Sequence, residues 1–129
     1  MDELDTLLAR MRSGDYIASI SLPDDNVADA LQHRSADEFS SEWMRVFRVV
    51  ESAKRNKTSG EDSRVRQLRE LSYLQSYHRW HHPDLSAYIS DDFGLIGDAL
   101  EVGHYDPLLD ALFSAYASGT FPVSFSVED

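Results

Sequence analysis

Residues 83–122 read PDLSAYISDDFGLIGDALEVGHYDPLLDALFSAYASGTFP, with seven carboxylates and no Lys or Arg. Two helix signatures fill this stretch. Ile89, Phe93, Ile96 and Leu100 recur at i, i+4, i+7 and i+11, which is one face of a helix, and Gly103 stands where a left-handed C-terminal residue belongs. Asp106-Pro107 then places an N-cap acid before a proline at the first helical position. Leu108, Leu112, Ala115 and Tyr116 share a face behind it, and Gly119 and Pro122 supply the stop. Helices are expected over 88–102, capped by Asp84 or Ser90, and over 107–118.

The preceding chain has the same period. Leu4, Leu7, Leu8 and Met11 mark a first helix, with acids in its first turn, Arg10 and Arg12 in its last and Gly14 beyond. Val27, Ala30 and Leu31 make a short one ending near His33, after the turn signal Pro23-Asp24-Asp25-Asn26. Ser35 and Glu38 have capping-box spacing ahead of Phe39, Trp43, Val46, Phe47 and Val50, a helix running to about Lys57. Asn56 to Asp62, NKTSGED, reads as a loop. Asp62 or Ser63 opens a helix in which Val65, Leu68, Leu71, Leu74 and His78 share a face; it stops at His82 because the residue before Pro83 is biased away from helix.

The expected fold is all-α, a single domain over 1–129 with five or six helices. A hairpin of 36–82 forms the scaffold, and the last two helices pack across it. The stretch 15–22, DYIASISL, alternates like a strand but also fits a helical turn, which leaves room for a minor two-stranded pairing with 123–127. At 129 residues the chain is long enough to bury a core without staples. It has no cysteine, hence no disulfide framework, thiolate metal site or Cys nucleophile. No segment has the basic start and apolar run of a signal peptide, and none nears the roughly 20 apolar residues of a spanning helix. The chain reads as soluble and cytoplasmic.

Charge is segregated. The net charge is −11; residues 45–79 carry nine bases against four acids, whereas residues 80–129 carry nine acids and no base. Part of this imbalance is expected to cancel inside the fold. The remaining field repels phosphate backbones and anionic membranes and attracts cationic proteins. The expected partner is therefore a basic protein rather than nucleic acid or a membrane. Asp84, Asp91, Asp92, Asp98 and Glu101 are the carboxylates placed on the binding surface. Leu95 is read as an apolar strip beside them and Trp80 as an aromatic anchor. Asp24 and Asp25 are the second choice.

Catalytic signatures are missing. Adjacent pairs such as Asp91-Asp92 do not face each other on a helix and suit a first helical turn better than acid–base chemistry. There is no Gly-x-Ser-x-Gly elbow and no phosphate loop; Gly94 and Gly97 fall within a helix and read as close-packing positions. His78 and His82 have the i, i+4 spacing that two imidazoles need to share a metal, and His81 and His104 are nearby candidates. No Glu follows His78 as a metalloprotease pattern would need. The competing reading is that these histidines complement a helix C-terminus. No cofactor is expected.

From residue 90 onward, SDDFGLIGDALEVGHYDPLLDALFSAYASGTFP resembles small immunity proteins of bacterial polymorphic toxin systems. The matching parts are the Asp-Phe-x-x-Ile helix, the Asp-bearing turn, the apolar helix and the Gly-x-Phe-Pro ending. The resemblance implies a non-catalytic protein that binds a co-produced toxin and blocks it at or near its active site. A helical adaptor or chaperone-like subunit, or a metal-dependent enzyme on His78, His82 and His104, are the alternatives.

Overall fold

A computed structural model describes residues 2–56 and 63–124. Seven α-helices appear there: α1 Glu3–Ser13, α2 Asp15–Ala18, α3 Val27–Arg34, α4 Asp37–Arg55, α5 Ser63–Trp80, α6 Pro83–Val102 and α7 Pro107–Ala117. A single 3-10 turn, Asp24–Asn26, leads into α3. The all-α expectation holds, with no strand among the described residues.

Several ends form as the local chemistry dictates. The Asp2 carboxylate accepts from the Asp5 N–H at 2.8 Å, and Gly14, at φ 84°, returns its N–H to Met11. Asp106 accepts from Leu108 N–H with Pro107 in the first turn. Two caps differ from expectation. Ser35 does not cap α4; its hydroxyl donates back to the Gln32 carbonyl of α3, and Ala36 takes the N-cap position with no side-chain bond. α6 starts at Pro83, a turn earlier than expected, because His82 serves as N-cap and its Nδ1 accepts from Leu85 N–H at 3.3 Å. α5 ends at Trp80, where His81 turns the chain with a left-handed φ of 54°.

The expected 36–82 hairpin is replaced by another arrangement. α6 is buried from Leu85 to Ala99 on most sides and keeps only the strip Asp84, Ala87, Tyr88 and Asp91 toward solvent. The rest needs cover, so α5 lies along one side, α4 along another, and α1 and α7 add to the shell. The antiparallel pair is α5 with α6. Their approach is close because small residues meet: Ser90 donates to the Arg69 carbonyl at 3.0 Å, and a Cβ on Gly97 would stand 3.1 Å from a Leu68 methyl. The buried stripe of α5 is accordingly Val65, Leu68, Ser72, Ser76 and Trp80, and Leu74 and His78 face outward, Leu74 at 65% exposure. The loop expected at 56–62 lies outside the described residues after Asn56.

The stretch 15–22 makes no strand. Its carbonyls, and that of Met11 before it, are claimed by α5: Gln75 donates to Met11, Arg79 to Ile17 and the Trp80 indole to Leu22. Its contact with the tail segment is the Ser21 N–H to the Gly119 carbonyl, 2.8 Å. The other half of the expected pairing, 125–127, lies outside the described residues. Among the described residues no helix is long and apolar enough to cross a membrane.

Candidate partner-binding groove

The residues read from the sequence as one acidic surface divide into three groups. Asp92 is wholly buried. One of its oxygens accepts from Arg34 at 2.7 Å and from the Trp43 indole at 3.0 Å; the other accepts from Arg34 at 2.7 Å and from the Tyr116 hydroxyl at 2.6 Å. The Arg34 guanidinium stacks within 4.4 Å of Phe39, 5.0 Å of Tyr88 and 5.2 Å of Phe121. This cluster joins α3, α4, α6, α7 and the segment after α7. Burial and the Asp92 charge hold the Tyr116 hydroxyl well above the usual tyrosine range.

Leu95, Trp80 and Asp98 are buried too. Trp80 cannot anchor a partner directly. Its indole holds the Leu22 carbonyl and thereby fixes the segment that carries Asp24 and Asp25. Asp98 pairs with Lys54 at 3.1 Å, and burial raises its carboxyl above the ordinary range despite that hydrogen bond. Leu95 and Asp98 were misplaced because the solvent-facing strip of α6 ends near Asp91, whereas the sequence reading carried it on along the helix; Trp80 belongs to the buried stripe of α5.

Asp84, Asp91, Asp24 and Asp25 are exposed. Asp84 and Asp91, seven residues apart, edge a broad groove of about 810 Å³ between α3 and the first half of α6. Ala87 and Tyr88 form its α6 wall, and Ala28, Leu31, Gln32 and Ser35 its α3 wall. None of the lining side chains is basic. Asp24 and Asp25 lie on the turn directly before Ala28, and Asp37 and Glu38 open α4 at the other end of α3, exposed as well. The carboxylates of Asp24, Asp25 and Asp84 take no hydrogen bond or ion pair among the described residues. Asp91 has a loose contact, 3.5 Å to Arg69, and burial pushes its carboxyl up.

Elsewhere opposite charges meet. Arg64 reaches Asp2 and Asp5, and Arg45 reaches Asp106. The basic middle of the chain thus neutralises acids from both ends, and Asp24, Asp25 and Asp84 are among the described carboxylates left without such a bridge. Glu101 lies apart, partly buried at the C-terminal end of α6. It lines a small cleft beside a second, apolar groove of about 420 Å³ between α1, α6 and α7. That groove is better enclosed, and Tyr105 stands 76% exposed at its edge. Its charge is mixed, however: Arg10 sits in it, 4.5 Å over the Tyr16 ring, and its Asp2 is already paired with Arg64. Among the described residues no three His, Asp or Glu side chains gather as metal ligands, so His78, His82 and His104 form no common site.

The family model of the immunity protein PIM1 matches residues 6–123, nearly the whole described chain. The chain belongs to this immunity protein family. No curated protein matches it. Membership extends the resemblance seen over 90–122 back to α1. In this immunity protein the groove's key positions were not all legible. Tyr88 and Gln32 gave no signal beyond ordinary helix surface. Arg34, buried behind the groove, did give one: it is the single Lys or Arg between Arg12 and Arg45, in a segment otherwise acidic.

Proposed function

We propose that this immunity protein neutralises a basic cognate toxin by docking its α3–α6 groove over the toxin's active or substrate-binding site. It acts as one helical domain in the cytoplasm of the producing bacterium, by occlusion rather than by catalysis. Toxin Lys and Arg side chains meet Asp24, Asp25, Asp84 and Asp91. The observation that supports this reading is the set of exposed carboxylates around a groove lined by no cation. Such a surface accelerates encounter with a positive partner and repels nucleic acid.

The test is binding and inhibition with the purified toxin encoded beside this gene. Asp84→Lys and Asp25→Lys each weaken binding and restore toxin activity, chiefly through a slower association. If neither change alters affinity or inhibition, the groove is not the interface.

A further inference from the structure

Beyond Tyr88, the acidic groove opens into a smaller pocket of about 190 Å³ between α4 and α6. Phe39, Trp43, Met44 and Tyr88 wall it, Ser40 stands at one side, and Asp91 is the carboxylate it shares with the groove. We propose that this pocket receives one apolar side chain of the toxin, and that a lysine or arginine adjoining that side chain in the toxin pairs with Asp91. The inference rests on the groove reading above and names what the toxin must present to it.

Three features point to that occupant. The volume suits a single side chain, not a helix or strand. The walls are set before binding: the Trp43 indole is tied to Asp92 at 3.0 Å and stacked on Phe47, while Phe39 and Tyr88 are held against the Arg34 guanidinium. A pocket with fixed walls loses little freedom when filled, so burial of an apolar group there is efficient. The charges also sort the occupant. Arg34 lines the back of the pocket with its charge already met by Asp92, so the interior offers aromatic and thioether surface without a free charge; Asp91, at the shared edge, is only loosely held by Arg69 and stays open to a cation. An apolar tip with a cation beside it satisfies both. An aromatic-walled pocket ringed by polar groups is the usual setting of a binding hot spot. Met44, one of the few large apolar side chains left substantially exposed, would be covered in the complex.

The test fills the pocket from its rim. Ser40 is exposed in the first turn of α4, so Ser40→Phe places a ring in the pocket without opening the core; a thermal melt confirms the fold. With the adjacent-gene toxin, Ser40→Phe lowers affinity about tenfold or more, mostly through faster dissociation, and Ser40→Ala leaves it unchanged. Asp91→Asn weakens binding with the pocket still open. If Ser40→Phe binds like the parent while Asp84→Lys is weakened, the pocket inference is overturned and the groove stands. If Tyr105→Ser alone weakens binding, the anchor belongs to the apolar groove at the other end of α6 and both readings fall.

Discussion

At Asp92 each carboxylate oxygen takes two donors, so the buried charge is fully solvated by protein. Such pairs are costly to break, because removing one partner strands the other. Asp92→Ala leaves Arg34, 3% exposed, without its counter-ion. The expected loss is about 3–5 kcal/mol, read as a fall in the urea midpoint. Tyr116→Phe removes one hydrogen bond to a charged group and costs about 1.5–3 kcal/mol. It also changes the alkaline limb of stability. Tyr116 keeps its proton in the fold above the value at which the unfolded phenol ionises. Its contribution is therefore complete below pH about 10 and is lost as pH rises beyond it. Tyr116→Phe flattens that limb in a melting-temperature series against pH. Asp91 gives the opposite lesson. Its side chain is half exposed, but the desolvation it does suffer raises its carboxyl, so charge there opposes folding, and this penalty appears as pH rises above the ordinary aspartate value. Asp91→Asn keeps or raises the melting temperature while weakening toxin binding; a matching loss in both would make Asp91 structural. The sequence placed Asp91 on the surface correctly and Asp92 wrongly. Adjacent residues on a helix diverge by a wide angle, and which one points inward depended on Arg34, 58 positions away.

Among the elements, the longer helices were legible, whereas the packing and α2, which brings the described helices to seven against the five or six expected, were not. Asp2, Gly14, Gly103, Asp106-Pro107 and Gly119 each mark a helix end through local geometry, and local geometry needs no tertiary knowledge. α6 was misjudged because its period shows one strongly apolar face, while its other sides are filled by Ser86, Ser90, Gly94 and Gly97, which carry no hydrophobic signal yet let α5 come close. The glycines make this testable. Gly119 has φ 82°, and an added Cβ would stand 2.6 Å from the Ser19 carbonyl oxygen. Gly119→Ala costs about 1–2 kcal/mol from the left-handed backbone alone, plus the clash. Gly94→Ala would put a Cβ 2.8 Å from Cδ and 2.9 Å from Cγ of Arg69, so that side chain must shift, which offsets a helix-propensity gain of about 1 kcal/mol but leaves the backbone unstrained. Denaturation midpoints should rank Gly119→Ala well below Gly94→Ala; equal values would refute this account of the packing.

On the scale of the molecule, charge segregation in the sequence becomes a set of bridges in space. Arg64 to α1, Arg45 to Asp106, Lys54 to Asp98 and Arg69 to Asp91 bring the basic middle onto the acidic ends. What the sequence could not supply was the residue left after this cancellation, which depends on who sits beside whom. Among the described residues it includes Asp24, Asp25 and Asp84, ahead of α3 and at the start of α6. Association with a basic toxin should slow steeply between low and moderate salt, while dissociation changes little, as stopped-flow mixing would report. A flat association rate would mean that carboxylates do not guide the encounter. The Arg34–Asp92 cluster also separates two duties. It fastens α3 from behind, so the fold depends on side chains turned inward, while Asp24, Asp25, Gln32, Ser40 and Asp84 at the rim support nothing beneath them. Lineages of this protein are therefore free to exchange rim residues one at a time and track a changing toxin, each intermediate remaining folded, whereas a change at Arg34 would have to be answered at Asp92 in the same step.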